Sequence, residues 1–244
     1  MEPRDRIALV TGGARRVGRA IALGLARRGS HVAVHYHASR ADAAETIGEI
    51  EALGVRARAY AADLRDPEQI ERLFRQVESD FGGLDILVNS AAILEHRPLL
   101  EITPEEWDRV LDLNLRAPFL CAQHAARLMR ARHAGKIINV SDLAAHQPWT
   151  GYAHHCASKA GLEALTRVLA RALAPEVHVN AIAPGSVLPP EDWDDDQRAA
   201  LIRKTALKRL GAPADVVRAV EFLLESDYVT GATVIVDGGR LLMS

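Results

Sequence analysis

Short apolar runs alternate with longer stretches of helical periodicity along the whole chain. A run such as Ile7–Val10 is continuously apolar, which is typical of a parallel strand covered by helices on both faces. The segments between these runs repeat their apolar residues at helical spacing. We therefore predict strands at Ile7–Val10, His31–Tyr36, Arg56–Ala61, Ile86–Val88, Lys136–Val140, His178–Ala183 and Val234–Val236.

The first of these strands begins a strand–helix–strand unit. Helical periodicity runs from Arg16 to Arg28, and the second strand follows, so that Ile7 to Tyr36 forms one βαβ unit. This order predicts an α/β fold, a doubly wound Rossmann-type parallel sheet with helices on both faces. No internal repeat or long linker interrupts it, and we predict a single domain over residues 1–244. Pro184–Asp196, rich in proline and acidic residues, is the predicted mobile loop and a lid over the substrate.

Composition narrows the class of partner. The 244 residues are 48% hydrophobic, enough for a sizeable core. Their 30 basic and 32 acidic residues nearly cancel, so we expect a small-molecule substrate rather than nucleic acid or a membrane surface. We find neither a signal-peptide pattern nor an apolar run of about 18 residues, and we expect a cytoplasmic protein. Cys121 and Cys156 fall in helical patterns and imply neither a disulfide framework nor a metal site.

A glycine turn follows the first predicted strand and reads Thr11-Gly12-Gly13-Ala14-Arg15-Arg16-Val17-Gly18. Glycine lets the backbone turn tightly and approach a pyrophosphate group. The following helix offers unpaired N–H groups and the positive end of its dipole. Many turns contain two glycines, but the place of this one between the first strand and the first helix favours dinucleotide binding.

The end of the second strand indicates which dinucleotide is bound. Enzymes that prefer NAD commonly have an acidic residue there, which binds the ribose hydroxyls. Here Tyr36-His37-Ala38-Ser39-Arg40 contains no carboxylate that would repel a 2′-phosphate. Because Arg15, His37, Ser39 and Arg40 could bind that phosphate, we predict NADP(H) as the cofactor. The alternative is that Arg40 only begins the next helix on a solvated face.

Further motifs are Asp63, Asn89-Ser90-Ala91, Asn114, Lys159 and Pro184-Gly185. The order and spacing of these motifs resemble those of the short-chain dehydrogenase/reductases, and the resemblance covers nearly the whole chain. The resemblance implies that Asp63 contacts the adenine, that Asn89 and its neighbours support the cofactor and the sheet, and that Pro184-Gly185 lies beside the nicotinamide. The candidate cofactor-binding residues are then Gly12, Arg15, Arg16, Val17, Gly18, Tyr36, His37, Ser39, Arg40, Asp63, Leu64, Asn89, Ser90, Ala91, Lys159, Pro184, Gly185, Ser186 and Val187.

The catalytic positions of that family are altered in this sequence. The family uses Asn, Ser, Tyr and Lys, of which Asn114 and Lys159 are present. The tyrosine position, four residues before the lysine, holds His155, and the serine position, thirteen residues earlier, holds Asp142.

These departures resemble the pteridine reductase branch of the family. That branch has aspartate at the serine position, a similar end to its second strand, and arginine in place of the middle glycine, as Arg16 is here. Gln147-Pro148 and Tyr152 also resemble it, whereas Leu94 stands where that branch has an aromatic residue that stacks on the pterin.

The candidate catalytic residues follow from these positions. Lys159 would hold the ribose of the nicotinamide and, with Asn114 anchoring a water, relay protons. Asp142, which follows a buried strand, would be an acid or an orienting group, and His155 a proton donor or carbonyl polariser, with Tyr152 or Asp142 as the other proton source. Four alternatives remain, in which Lys159 lies on a solvated face, Asn114 fills a helix irregularity, Asp142 caps a turn, or His155 is a remnant.

The sequence therefore predicts an NADPH-dependent short-chain reductase that transfers hydride to a small carbonyl or pteridine-like substrate. The alternatives are a ketone or 3-oxoacyl reductase, or a non-catalytic NADP(H)-binding member of the family. The resemblance also implies a homo-oligomer, most simply a tetramer built from two helix pairs and the chain end. The apolar tail Leu241-Leu242-Met243 would serve that contact or fold onto its own subunit.

Overall fold

The computed structural model describes residues 1–189 and 194–243. The strands of this part of the chain are β1 (Ile7–Thr11), β2 (His31–Tyr36), β3 (Ala57–Ala61), β4 (Ile86–Asn89), β5 (Gly135–Val140), β6 (Val177–Pro184) and β7 (Thr233–Val236). They form one parallel sheet in the order β3-β2-β1-β4-β5-β6-β7. The predicted doubly wound fold is confirmed.

Helices cover both faces of the sheet, and the apolar side chains of its strands are buried against them on both sides. The helices are α1 (Arg16–Arg27), α2 (Arg40–Glu51), α3 (Pro67–Phe81), α4 (Pro104–Leu111), α5 (Ala117–Ala131), α6 (Ala153–Leu173), α7 (Asp195–Arg203) and α8 (Pro213–Glu225). The buried faces of α3, α5 and α6 pack on one side of the sheet, and those of α1, α2 and α8 on the other. Short 3₁₀ turns lie at Leu99–Glu101, Leu143–Ala145 and Arg240–Met243, and a π-helical turn at Asp112–Arg116.

All seven predicted strands are present, with ends that differ by a residue in most of them. Strands β1 and β4 each reach one residue further than predicted, to Thr11 and Asn89, which pair with each other in the ladder. The extension has a physical reason: backbone pairing with the neighbouring strand sets a strand's end, and a polar side chain there does not prevent it.

The predicted loop Pro184–Asp196 is shorter than expected at both ends. Pro184 belongs to β6, and α7 begins at Asp195, one residue before the end of the predicted loop. The helix begins there because the side chain of Asp194 caps it by accepting from the N–H of Gln197 at 2.7 Å. Residues 190–193, which include Trp193, lie outside the described residues. The lid therefore stays a prediction.

Two further expectations concern membranes and cysteine. No helix within residues 1–189 and 194–243 is both long and apolar enough to cross a membrane. Cys121 is fully buried in α5, and burial raises the pKa of its thiol to about 12, so it packs as a neutral apolar group. Cys156, in α6, is a free and half-buried thiol.

Two helical glycines provide a matched test of the packing at the glycine turn. A Cβ on Gly18 would lie 2.2 Å from the carbonyl oxygen of Gly12, whereas one on Gly48, on the exposed side of α2, would meet nothing within 4 Å. We expect Gly18→Ala to lower the free energy of unfolding by about 1–3 kcal/mol, since the backbone of the turn must move. Gly48→Ala should raise it by about 0.5–1 kcal/mol, because alanine loses less backbone entropy in a helix. Urea unfolding measures both, and a Gly18→Ala protein as stable as wild type would contradict the packing described here.

Candidate active site

A cavity of about 1080 Å³ lies at the carboxyl ends of the strands. In a doubly wound sheet ligands bind at this edge, where the strand order reverses, and here the reversal falls between β1 and β4. The predicted residues that line the cavity are Gly12, Arg15, Arg16, Val17, Gly18, His37, Asp63, Leu64, Ser90, Ala91, Asp142, Tyr152, His155, Lys159, Pro184, Gly185, Ser186 and Val187. The predicted residues outside its lining are Tyr36, Ser39, Arg40, Asn89 and Asn114.

The ends of β1 and β4 are joined by buried polar side chains. The hydroxyl of Thr11 accepts hydrogen bonds from the N–H groups of Ser90 and Ala91, at 3.0 and 3.1 Å. The amide of Asn89 donates to Oδ1 of Asn139 at 2.9 Å. Asn89 therefore supports the sheet beneath the cavity, whereas Ser90 and Ala91 form part of its wall.

The glycine turn is held by a buried histidine of β2. The N–H of Gly12 donates to Nδ1 of His35 at 3.1 Å, and Nε2 of His35 lies 3.0 Å from the carbonyl oxygen of Ala62. Nδ1 must accept, so the proton is on Nε2, which donates to Ala62. Burial lowers the pKa of His35 to about 4, and the ring stays neutral near pH 7. We did not predict this role, although a polar side chain in an apolar strand next to the turn was a usable signal.

The first turn of α1 leaves its N–H groups available to a ligand. The capping residue, Arg15, makes no side-chain cap, and the first turn contains no acidic residue. Arg16 has a positive φ of 53°, and its guanidinium donates to the carbonyl oxygen of Leu188 at 2.7 Å. The turn thus presents backbone donors and the positive end of a helix to the cavity, which fits a pyrophosphate group.

The outer end of the cavity, near β2 and β3, carries several charged groups. Arg65 binds the carboxylate of Asp63 through Nη2 at 2.6 Å and Nε at 2.9 Å, and this holds the pKa of Asp63 at about 2. Nε2 of His37 lies 3.9 Å from the same carboxylate. Nε of Arg15 lies 3.7 Å from the carboxylate of Asp42, and both side chains are exposed. Asp63 is therefore a carboxylate near neutrality, and Arg65 and Asp42 are charged neighbours that we did not predict.

His155 lies in the first turn of α6, with its side chain only 3% exposed. Its Nδ1 is 3.1 Å from the carbonyl oxygen of Ile93 and 3.3 Å from Nδ2 of Asn114. The two amide hydrogens of Asn114 have closer acceptors, the oxygen of Ile93 at 2.9 Å and Oγ of Ser158 at 3.2 Å. Nδ1 of His155 is therefore the donor to Ile93. Its Nε2 has no hydrogen-bond partner among the described residues.

Asn114 lies in the π-helical turn between α4 and α5 and is fully buried. Its Oδ1 accepts from the N–H of Ile93 at 2.9 Å, which completes a pair of hydrogen bonds with the backbone of that residue. The irregular turn and the site are therefore connected. Asn114 fills the irregularity and at the same time fixes the segment that holds His155.

Asp142 follows β5 and has two contacts in different directions. Its Oδ1 accepts from the N–H of Ala144 at 2.9 Å and caps the short 3₁₀ turn Leu143–Ala145. Its Oδ2 lies 3.8 Å from Nε2 of His155. The alternative that Asp142 caps a turn is thus observed. The capping bond to Oδ1 also orients Oδ2 toward Nε2 of His155.

Lys159 is one turn further along α6, and its ammonium is buried. Its Nζ donates to the carbonyl oxygen of Val140 at 2.8 Å. Burial lowers the pKa of Lys159 to about 8, while the carboxylates of Asp142 and Glu163 act in the opposite direction. Lys159 is 4% exposed and lines the cavity, so the alternative that it lies on a solvated helix face is wrong.

An aromatic and cationic wall closes the end of the cavity next to His155. The indole of Trp149 is nearly parallel to the imidazole of His155, with ring centroids 6.4 Å apart, and packs edge-on against Tyr152 at 5.9 Å. The guanidinium carbon of Arg240 lies 5.7 Å from the centre of the Trp149 ring. Leu94 also lines the cavity. We did not predict Trp149 or Arg240, because both come from segments that have no pattern of their own and meet only in the folded chain.

Comparison with known proteins places this fold and cavity in a family. A family model described as enoyl-(acyl carrier protein) reductase matches residues 12–240. A 3-oxoacyl-(acyl-carrier-protein) reductase of Staphylococcus epidermidis is 37% identical over 243 residues, which cover 98% of this chain and 100% of that protein. A short-chain type dehydrogenase/reductase of Picea abies is 36% identical, with 97% of this chain and 92% of that protein covered.

Solved structures agree with the sequence relatives. A dehydrogenase/reductase from Sinorhizobium meliloti 1021 superposes with a TM-score of 0.91 at 39% identity, covering 97% of this chain and 95% of that one. A short-chain type dehydrogenase/reductase from Mycobacterium marinum has a TM-score of 0.91 at 31% identity, with 98% and 96% covered. The chain therefore belongs to the short-chain dehydrogenase/reductase family of oxidoreductases.

Proposed function

We propose that this protein reduces a small carbonyl compound with NADPH and that His155 replaces the family's tyrosine as proton donor. The observation that carries this proposal is the free Nε2 of His155, which is buried at the cavity wall, has no hydrogen-bond partner among the described residues, and lies 3.8 Å from Asp142. A buried imidazole nitrogen without a hydrogen-bond partner destabilises the fold unless a bound ligand supplies that partner.

The carbonyl substrate is favoured over a pteridine by the relatives. The Staphylococcus epidermidis protein is described as a 3-oxoacyl reductase, which is the alternative that the sequence left open. Leu94, in the place of a pterin-stacking aromatic residue, agrees with this choice because it lines the cavity and offers no ring.

The residues around the glycine turn fit a dinucleotide. The uncapped first turn of α1 would bind the pyrophosphate, and Lys159 would hold the ribose hydroxyls of the nicotinamide half. Arg15 and His37 would bind a 2′-phosphate at the outer end. When bound, the cofactor supplies the hydride that adds to the carbonyl carbon.

His155 and Asp142 would provide the proton that completes the alcohol. In the protonated imidazole, Nδ1–H donates to Ile93 and Nε2–H points to the substrate carbonyl, to whose oxygen it transfers the proton. The Asp142 carboxylate, 3.8 Å from Nε2, would compensate the positive charge of the imidazole while it holds the proton. Tyr152, which packs edge-on against Trp149 and lines the cavity, would shape the substrate end.

We also propose that the protein is a homo-oligomer in the cytoplasm, most simply a tetramer. Apolar side chains on α5, α6 and the chain end are exposed, which supports contact through these surfaces. They are Phe119 at 38%, Val168 at 64%, Leu242 at 83% and Met243 at 47%.

The preference for NADPH gives the first test of this proposal. We expect NADPH to bind about tenfold or more tightly than NADH, because one charge-assisted hydrogen bond to the 2′-phosphate is worth about 1.5–3 kcal/mol. Arg15→Gln should reduce this preference, whereas the matched Arg40→Gln, outside the cavity lining, should change it less. Calorimetry measures the affinities, and equal binding of the two dinucleotides to wild type would contradict the assignment.

The buried ammonium predicts how cofactor affinity depends on pH. With its pKa lowered to about 8, Lys159 is charged below that pH and loses its charge as the pH rises through it. The affinity for NADPH should therefore fall above about pH 8 in wild type. Lys159→Arg should show no such fall, since a guanidinium stays charged throughout. An affinity for NADPH that is constant across this range in wild type would exclude the proposed role.

Substitutions at His155 and Asp142 test the proton donor directly. If the site is built around both residues, Asp142→Asn should lower kcat by about 10²-fold or more, and His155→Tyr should leave activity on generic ketones low. The matched Asp108→Asn, an exposed carboxylate on α4, should have no effect.

The assay follows NADPH consumption with one panel of ketones and pterins for all four proteins. A large gain in His155→Tyr with no effect of Asp142→Asn would mean that His155 is a remnant. NADPH binding without turnover of any compound would favour the non-catalytic alternative.

A further inference from the structure

Arg240 reaches the substrate end of the cavity from the last turn of the chain. Its guanidinium carbon lies 5.7 Å from the centre of the Trp149 ring, and its Nη1 donates to Oγ of Ser186 at 2.8 Å. Ser186 follows the Pro184-Gly185 pair, and both it and Arg240 line the cavity. The arginine is therefore held in place by a ring face and a hydroxyl.

Among the residues that the structure describes, no neighbouring acid neutralises the charge of Arg240. Two other arginines that line the cavity are paired, Arg65 with Asp63 and Arg109 with Glu95, each at 2.6 Å. Within residues 1–189 and 194–243, no carboxylate lies within 4.0 Å of the Arg240 guanidinium. A cation in a partly buried wall without a carboxylate partner is available to an anionic ligand.

The contacts of Arg240 also restrict the geometry of that ligand. The indole of Trp149 lies over the guanidinium, and Ser186 occupies one of its five N–H groups. The remaining donors lie in the guanidinium plane, where a planar carboxylate makes paired hydrogen bonds. Ring contacts of 5.7 and 6.4 Å connect Arg240 through Trp149 to His155, and all three side chains line the same cavity.

We propose that the substrate is an oxo acid whose carboxylate binds Arg240 while its carbonyl faces His155. This inference rests on the proposed reductase function and names its substrate class. It also separates this protein from a reductase of carrier-bound thioesters, in which the acyl group has no free carboxylate.

The test compares acids with uncharged analogues that have the same carbonyl. Acetoacetate, 2-oxobutanoate and levulinate are each paired with their methyl ester, and kcat/KM for NADPH oxidation is measured. Wild type should prefer at least one acid over its ester by about tenfold or more. Arg240→Gln should remove this preference mainly through a higher KM for the acid, with the ester changed by less than about twofold. The matched Arg171→Gln, an exposed arginine on α6 outside the cavity lining, should behave as wild type.

A binding measurement keeps the test independent of turnover. Each acid and ester is titrated by calorimetry into the protein saturated with NADP⁺, for wild type, Arg240→Gln and Arg171→Gln. The acid that binds should lose about tenfold in affinity in Arg240→Gln alone. If an acid binds in a way that depends on Arg240 but is not turned over, the result would contradict the reductase function and support the assignment of Arg240 as a carboxylate-binding residue. Equal binding of acid and ester, binding unchanged in Arg240→Gln, or no binding of any acid in the panel would overturn the inference.

Discussion

The paired hydrogen bonds between Asn114 and the backbone of Ile93 are the interaction on which the candidate site depends. The two groups come from the irregular turn between α4 and α5 and from the segment after β4, and both bonds are 2.9 Å long. They fix the carbonyl oxygen of Ile93 where Nδ1 of His155 donates to it. Without this fixed acceptor the ring would be free to turn, and its other nitrogen would not be directed toward Asp142.

Charge balance is the second constraint, because several ionisable groups are buried together at the end of β5. The ammonium of Lys159 is stabilised by a carbonyl oxygen and by the nearby carboxylates of Asp142 and Glu163. Glu163 in turn accepts from the hydroxyl of Ser141 at 2.8 Å and lies 3.0 Å from Nε2 of His146. A buried ammonium needs such carboxylates, since burial alone disfavours its charged form.

The cavity joins two ends of different character. At the glycine turn, the donors are backbone N–H groups of a strand-turn-helix unit. His35 fixes this turn by accepting a hydrogen bond from the N–H of Gly12. At the other end, the wall consists of Trp149, Tyr152 and Arg240, side chains from a loop and the chain terminus. The first end consists of main-chain groups, whereas the second consists of side chains from a loop and the chain end, and loops vary more easily than the sheet that carries them.

The sequence by itself determined the fold and part of the list of residues that form the candidate site. Apolar runs separated by helical repeats require a covered parallel sheet, so the strands and the edge where ligands bind could be predicted. The resemblance to the family added the positions of Asp142, His155 and Lys159. Contacts between distant segments could not be predicted, because no local pattern records them. Only the folded chain decided that His35 supports the glycine turn, that Asn114 contacts His155 across 41 positions, and that Arg240 stacks on Trp149, since each is fixed by packing of side chains from different elements.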